Sequence, residues 1–351
     1  MSVPSGAAPR TPLRLARQGL SLLTWLGLAW LLWQGLEWGL WQAVLAPDAN
    51  QCRALQGQGA CWGVIHEKWR PLLFGRYPYE EHWRAALALL LMLGAAGAVL
   101  IKPWRWSLRA LGLGSFALAL LVGGLLHGGV AGLAPVPSDQ WGGLPLTLWL
   151  AWSTFMLSLP LGIALAWGRR SPHRLLSGVC TTVIEVLRGV PLVMVLFMAA
   201  FLLPAVLPAD WNVGLLWRVS FALTLFSAAY LAEIVRGGLQ TVPKEQVDAA
   251  AVLGLNAWQT QRLVVLPQAL RAVLPALVSH AIGLLKDTSL VMVVSLHELT
   301  GALSLSLGGD PLWRPFYLEA YLFVALIYFL MCGSLAWAGR RLERHWPGAG
   351  L

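Results

Sequence analysis

Charged side chains are scarce in this sequence. Asp, Glu, Lys and Arg together make up 12% of its 351 residues, whereas a soluble globular domain averages about 25%. Hydrophobic residues make up 58% of the chain. So few charges are not enough to cover the surface of a soluble domain, and we predict an integral membrane protein.

Motifs of ATP-hydrolysing and peptide-hydrolysing enzymes are also absent. The dipeptide Gly-Lys occurs nowhere, which excludes a phosphate-binding P-loop. His66-Glu67 and His297-Glu298 begin like a zinc-protease helix, but neither has a second histidine four positions after the first. No Gly-x-Ser-x-Gly turn supports a serine protease built from Ser115 and His280. We therefore predict that the chain is not an enzyme and holds neither a metal nor a cofactor.

What the sequence has instead is a series of long apolar segments. A hydrocarbon core about 30 Å thick requires about 20 mostly apolar residues per helix. Eight segments approach or exceed this length, and they predict an all-α integral membrane protein with about eight transmembrane helices. The segments are 19–45, 85–101, 109–127, 143–168, 176–203, 214–236, 272–296 and 315–338.

Basic residues predict the orientation of these helices. Most Lys and Arg lie in alternate connections, beginning with the N-terminal one, and the positive-inside rule places those connections in the cytoplasm. Both termini are then cytoplasmic. The formal net charge of +9 is interpreted as contact with anionic membrane lipid and not with nucleic acid. The predicted cytoplasmic basic residues are Arg10, Arg14, Arg17, Lys102, Arg105, Arg109, Arg169, Arg170, Arg174, Arg236, Lys244, Arg262, Arg271, Arg340, Arg341 and Arg344.

One longer loop, 46–84, is predicted on the outer side. It contains Cys52 and Cys61, two of the four cysteines. Disulfides persist in oxidising compartments outside the cytoplasm. An extracytoplasmic position would therefore allow these two cysteines to form a disulfide.

A polar insert, 241–271, separates the sixth and seventh apolar segments. Pro243 and Glu245 are typical of the first turn of a helix, where a missing N–H is tolerated and negative charge is favourable. Gly254 is typical of the left-handed residue that follows a helix. The first half of the insert is therefore predicted to be a short helix that ends in a tight turn.

The second half of the insert is predicted to be another helix. Asn256 with Gln259 three positions later is typical of a capping box, and we predict that this helix runs to Pro267. Two short helices joined by a Gly-containing turn also occur in DNA-binding proteins. Membrane segments a few residues away on both sides leave little room to enter a major groove, so a membrane-tethered DNA-binding regulator remains only an alternative.

The insert resembles the coupling loop of ABC-importer permeases, which is written E-A-A, three residues, Gly, nine residues, I-x-L-P. Here the corresponding residues are Asp248, Ala249, Ala250, Gly254, Val264, Leu266 and Pro267. Asp replaces the usual Glu and Val the usual Ile. The resemblance implies a cytoplasmic coupling helix that docks into a groove of a separate ATP-binding subunit, where ATP and Mg would bind.

The resemblance also implies the organisation of the chain. Residues 141–351 would form the five-helix permease core of a type I ABC importer, with the coupling loop at 241–271. Residues 1–140 would be an N-terminal extension with about three transmembrane helices and the periplasmic loop 46–84. The implied location is the bacterial inner membrane. The implied partners are the ATP-binding subunit, a periplasmic amino-acid-binding protein and a second permease, which is either a sister subunit or another copy.

Two further segments are similar to permeases of polar amino-acid importers, in particular the general L-amino-acid transporter permease of Gram-negative bacteria. They read RGVP at 188–191 and KDTSL at 286–290. Loop 46–84 contains GACW and GRYPYEE, which are similar to the corresponding loop of the same permease. The resemblance therefore implies an amino acid as the substrate.

Ionisable residues inside apolar segments cost roughly 2.5–3.5 kcal/mol each and so mark candidate functional sites. Glu185 and Arg188 are three apart on a predicted helix and close enough to pair. Pro191 is expected to interrupt that helix, and broken helices often line substrate sites in transporters. A substrate path at these residues and a salt bridge that steadies the kink both remain open.

Two other charged pairs have the same two interpretations. Glu233 and Arg236 lie near the cytoplasmic end of the sixth segment and are predicted to be a structural pair beside the coupling loop. Lys286 and Asp287 interrupt the seventh segment. They would complement the two charges of an amino acid in the substrate path, or form an internal ion pair.

The sequence therefore predicts the permease subunit of an ATP-driven amino-acid importer. A secondary amino-acid transporter driven by an ion gradient is the alternative from another class, and it would not need a docking helix. The sequence does not determine which amino acids are carried.

Overall fold

The computed structural model describes residues 11–101, 108–130, 132–208, 210–211 and 213–345. These residues are helical or irregular, and no strand occurs among them. A helix satisfies all its backbone hydrogen bonds internally, as the bilayer requires. Seven helices of the described ranges are long and apolar enough to cross a membrane, and a bent pair provides an eighth span. The predicted fold class is confirmed. Arg10, Lys102 and Arg105, which the predicted orientation uses, lie outside the described residues.

The first part of the chain contains three of these spans and a helical loop. Its helices are α1 (Thr11–Leu36), α2 (Ala49–Ala54), α3 (Gly63–Phe74), α4 (His82–Ile101) and α5 (Leu108–His127). The π-helical turn Glu37–Trp41 extends α1, and its span Arg17–Trp41 has no buried residues in its most apolar window. Cys52 and Cys61 are joined by a disulfide in the loop between α1 and α4.

The second part of the chain contains the other spans and the polar insert. Its helices are α6 (Gly143–Arg169), α7 (Arg174–Gly189), α8 (Leu192–Phe197), α9 (Leu203–Val206), α10 (Leu215–Thr241), α11 (Lys244–Val252), α12 (Ala257–Gln259), α13 (Leu266–Ala272), α14 (Leu274–Asp287), α15 (Leu299–Gly308) and α16 (Tyr317–His345). Two π-helical turns, Met198–Leu202 and Thr260–Val265, join α8 to α9 and α12 to α13. A 3-10 helix, Thr288–Val294, extends α14.

The fifth predicted span is broken. Helix α7 and the segment Leu192–Val206 meet at 107°. Val190 between them is extended, with φ −106° and ψ 137°. A residue before proline is driven out of the helical region, and Pro191 itself has no N–H to continue a helix. The interruption predicted at Gly189–Pro191 is therefore a sharp bend.

The chain forms two compact units, Met1–Glu67 with Leu312–Ala320, and Lys68–Pro311 with Tyr321–Leu351. In the first unit, the Cys61 amide donates to the Glu319 carboxylate at 3.0 Å. In the second unit, α4 and α5 pack against α6, and the Trp149 indole donates to the Ala119 carbonyl at 3.0 Å. The division at residue 140 is not tested by this packing and remains a prediction.

Helices α6 and α10 approach each other closely in the second unit. A Cβ on Gly162 would lie 2.8 Å from the Leu231 side chain and 3.0 Å from the Ala228 carbonyl. Small residues permit this approach between membrane helices. At the cytoplasmic end predicted for these helices, Ala166, Val235 and Ala269 belong to one buried cluster. This cluster packs α10 against the second half of the polar insert.

Candidate functional site

The polar insert begins as the sequence predicts. Helix α11 starts after Pro243 and is followed by Gly254 at φ +78°. The Leu255 amide donates to the Ala250 carbonyl at 3.1 Å, and the Gly254 amide donates to the Ala251 carbonyl at 3.0 Å. These two bonds form a Schellman motif, which satisfies the last carbonyls of the helix.

The second half of the insert is longer than predicted. Asn256 and Gln259 form the predicted capping box, with hydrogen bonds of 2.9 and 3.0 Å. The prediction that the helix ends at Pro267 is wrong, because the helical path continues to Ala272. A π-helical turn precedes Pro267, and wider turns of this kind accommodate local breaks in the hydrogen-bond ladder.

The insert exposes an acidic and apolar surface. Asp248 and Ala249 are exposed, whereas Ala250 is buried against the rest of the insert. Val252 and Leu253 at the end of α11 are 87% and 80% exposed. The Asp248 carboxylate forms no ion pair or hydrogen bond with another described residue. This combination is typical of a docking surface for another protein.

The charged pairs combine with Arg169 into one cluster, which joins the C-terminal ends of α6 and α7 to the C-terminal half of α10. Glu233 is bound by three arginines from those helices. Arg169 Nη1 is 2.7 Å from Glu233 Oε1, and Arg236 Nη2 is 2.8 Å from Oε2. Arg188 Nη1 is farther from Oε2, at 3.7 Å. The predicted Glu233–Arg236 pair is therefore present, but it is part of a larger network.

A salt bridge between Glu185 and Arg188, which the sequence analysis left open, is not formed. Glu185 binds Arg169 Nη1 at 2.9 Å, whereas Arg188 faces Glu233. The helical spacing showed that the two side chains could reach each other. It could not show that α6 and α10 present closer partners of opposite charge.

A line of polar side chains continues from Arg188 into the bundle. Its guanidinium lies 5.6 Å from the Tyr230 ring centre, and the Tyr230 and His280 rings are 6.4 Å apart. His280 Nε2 is 2.8 Å from the Ser227 hydroxyl, which donates to the Ser158 hydroxyl at 2.9 Å. These residues come from α6, α7, α10 and α14. Sequence reasoning did not bring them together, because no short motif contains them.

Lys286 and Asp287 lie at the end of α14. They form no ion pair with each other or with another described residue, so the internal ion-pair interpretation is not supported. Lys286 is exposed and lines a cavity of about 240 Å³. Ser289, Thr300 and Tyr328 are among the other residues that line this cavity. A lysine ammonium without an ion-pair partner among the described residues is a hydrogen-bond donor suited to bind a carboxylate.

Glu298 is a fully buried carboxylate that the sequence analysis did not select. It caps α15 by accepting hydrogen bonds from the Thr300 and Gly301 amides at 2.9–3.0 Å. The Tyr328 hydroxyl donates to Oε2 at 2.9 Å and the Thr147 hydroxyl at 3.3 Å. Burial raises the pKa of the Glu298 carboxyl, whereas these hydrogen bonds lower it. Glu298 thus ties α6, α15 and α16 together.

Glu298 was not a candidate site residue because it lies just beyond the predicted span 272–296. Only ionisable residues within the spans were expected to carry a free-energy cost of insertion. Arg169 was not a candidate either, because it was used only to predict the orientation of the helices. Both residues would have been candidates if ionisable residues at the ends of apolar segments had been included.

Comparison with known proteins agrees with this geometry. Residues 158–346, more than half of the chain, match the family "Binding-protein-dependent transport system inner membrane component". The chain belongs to this family. Its members include permease subunits of ABC importers, and the predicted resemblance is confirmed. The matched region begins within α6 and includes the polar insert and the arginine cluster.

Individual relatives extend the similarity beyond the family region. The chain is 41% identical over 291 residues to the inner membrane amino-acid ABC transporter permease protein YhdY of Escherichia coli K12, covering 82% of this chain and 78% of the relative. It is 36% identical over 361 residues to the glutamate/glutamine/aspartate/asparagine transport system permease protein BztC of Rhodobacter capsulatus, covering 85% and 83%.

A crystal structure of an amino acid ABC transporter with histidines is also similar. It is 30% identical, has a TM-score of 0.52, and covers 58% of this chain and 92% of that chain. The fold is that of the type I ABC-importer permeases.

Proposed function

We propose that this chain is a permease subunit of an ATP-driven amino-acid importer in the bacterial inner membrane. It would form part of the translocation path and couple that path to a separate ATP-binding subunit. The observation that carries the proposal is the polar insert, which presents the exposed Asp248 carboxylate and the exposed Val252 and Leu253 side chains on one short helix. Since the chain has no P-loop, ATP and Mg would bind to the partner.

The proposed substrate follows from the relatives and from two exposed cations. YhdY and BztC are named as amino-acid permeases. Arg188 at the helix break and Lys286 in its cavity would each be available to a carboxylate, and Glu185 and Asp287 lie next to them. A periplasmic amino-acid-binding protein would deliver the substrate, and a sister permease would complete the path. Both termini would be cytoplasmic.

Reconstitution tests this proposal directly. The chain is assembled in proteoliposomes with its sister permease, ATP-binding subunit and binding protein, and uptake of labelled L-glutamate, L-glutamine, L-arginine and L-leucine is measured. We expect uptake of at least one of them to require both ATP and the binding protein. Uptake by the permease alone under an ion gradient would instead establish the secondary-transporter alternative.

A further inference from the structure

Arg188 and Glu233 face each other without a hydrogen bond. Their closest atoms are 3.7 Å apart, whereas Arg169 and Arg236 approach the same carboxylate to 2.7 and 2.8 Å. Arg188 and Arg236 are about equally exposed, at 36% and 34%, whereas Glu233 is only 16% exposed. Arg188 is therefore the arginine that Glu233 holds least tightly.

Glu233 does not depend on Arg188 for its charge balance. If Arg188 turned to another anion, Glu233 would keep its hydrogen bonds to Arg169 and Arg236. Removing the partner of a buried charge is costly only when that charge is left uncompensated. An exchange of partners at Arg188 is therefore feasible without isolating the Glu233 carboxylate.

The surroundings of Arg188 favour a small carboxylate as the other partner. Arg188 lies one residue before the helix break at Gly189–Pro191 and next to the Tyr230 ring. The guanidinium presents several N–H donors in a fork that matches a carboxylate. Every amino acid has an α-carboxylate, so a permease that recognises this group can accept different side chains.

Glu233 is connected to the coupling insert. It lies on α10, which ends at Thr241 and leads through Val242 and Pro243 into α11. Further along α10, Val235 and Leu239 are buried with Val265 and Ala269 of the insert. A change in the partners of Glu233 therefore occurs on a helix that is packed against the insert.

We propose that the Glu233 carboxylate takes the place of the substrate's α-carboxylate at Arg188 when the path is empty. An arriving amino acid displaces Glu233 from Arg188, and Glu233 then binds only Arg169 and Arg236. Glu233 therefore has different contacts in the empty and the substrate-bound states. Because α10 carries Glu233 and packs against the coupling insert, substrate binding is coupled to the insert. The inference rests on the proposed amino-acid substrate.

The test is equilibrium binding of the four labelled amino acids to the assembled permease and ATP-binding subunits without the binding protein. In Glu233→Gln the internal competitor loses its charge, and we expect the half-saturating concentration to fall about fivefold or more, the lower end of typical coupling between sites. Arg188→Ala should abolish binding, and Glu233→Gln should restore none of it in that background. A purely structural role for Glu233 predicts weaker binding instead.

Two further variants separate competition from general effects. Glu185→Gln removes the other carboxylate of the cluster, which binds Arg169 and not Arg188, so it measures the effect of cluster charge. Glu233→Asp keeps the negative charge but shortens its reach, so it should also tighten binding, by a smaller factor, if Glu233→Gln does not fold. Equal tightening in Glu185→Gln and Glu233→Gln, or no tightening in either Glu233 variant, would overturn the inference.

The chemical group is tested with the α-methyl ester of the best-bound amino acid. The ester lacks the α-carboxylate, and we expect it not to compete with the labelled amino acid. Competition by the ester at equal concentration would overturn the inference.

If the wild-type complex shows neither binding nor ATP-dependent uptake of any of the four amino acids, the proposed function itself fails. If the wild type transports but the Glu233 variants do not tighten binding, only this inference fails.

Discussion

At the scale of single residues, Arg188 differs from the neighbouring arginines in its contact with Glu233. Its closest approach to that carboxylate is 3.7 Å, whereas Arg169 and Arg236 approach it to 2.7 and 2.8 Å. A side chain that mainly steadied the helix break would be expected to make close hydrogen bonds. This difference favours the substrate path over the salt bridge as the role of Arg188.

We expect Arg188→Ala to lower amino-acid uptake at least tenfold while the ATP-binding subunit still copurifies. The reason is that a charge-assisted contact to a carboxylate contributes about 1.5–3 kcal/mol. Arg174→Ala on the same helix, where the side chain is exposed and forms no described ion pair, is the matched control and should retain uptake. Loss of copurification in Arg188→Ala would instead favour the structural role.

Glu298 provides a prediction about stability. Glu298→Ala would leave the Thr300 and Gly301 amides and the Tyr328 hydroxyl without their acceptor, at about 1–3 kcal/mol for each buried donor that finds no other partner. We expect a Tm in detergent several degrees below wild type. Glu298→Gln keeps an acceptor oxygen and should lose less. Equal losses in the two variants would show that the hydrogen bonds are not what stabilises this site.

At the scale of elements, the insert is divided between a helix that faces outward and one that packs inward. Helix α11 exposes Asp248 and ends in exposed apolar side chains, whereas Val265 and Ala269 of the second half are buried against α10. The insert can therefore contact a partner through α11 and the membrane helices through its second half.

We expect Asp248→Lys to reduce substrate-stimulated ATP hydrolysis of the assembled complex severalfold without affecting membrane insertion. An exposed carboxylate that meets basic residues of the ATP-binding subunit would become repulsive on charge reversal. Gln246→Lys adds a positive charge to the same helix but keeps Asp248, and it serves as the control. Wild-type hydrolysis and uptake in Asp248→Lys would remove the role that we assign to this residue.

The C-terminal end of α5 depends on a buried arginine of α4. Arg84 is fully buried and donates to the Leu125 and Ala134 carbonyls at 2.7–2.9 Å. Arg84→Met would leave these carbonyls without charged donors, and we expect a clear loss of Tm, from about 1–3 kcal/mol per unsatisfied group. Arg53→Met, at an exposed arginine, is the control. If both variants have the Tm of the wild type, the hydrogen bonds of Arg84 do not stabilise the packing of α4 and α5.

At the scale of the whole molecule, the orientation in the membrane is a prediction from the basic residues. Alkaline phosphatase inserted after Gly57, in an exposed turn of loop 46–84, should be active because we predict this loop to be periplasmic. A fluorescent protein fused after Leu351 should be fluorescent because we predict the C-terminus to be cytoplasmic. The opposite pattern of activities would reverse the orientation and remove the insert from contact with a cytoplasmic ATPase.

The sequence by itself determined the features that depend on local chemistry. Apolar length identified the spans, since the bilayer thickness is fixed, and Pro191 located the break because proline has no N–H. Gly254 and the Asn256–Gln259 capping box were correct because these motifs are formed within a few residues. The family, too, could be inferred from the insert, because its motif is continuous.

Only the tertiary structure decided which charged groups meet. Spacing along one helix allowed Glu185 to pair with Arg188, but the packing of α6 and α10 against α7 brings Arg169 to Glu185 and Glu233 to Arg188 instead. The burial of Glu298 was likewise set by helices distant in sequence. A charged group pairs with the group of opposite charge that lies nearest in space. The sequence pattern predicts the individual helices but not the contacts between them.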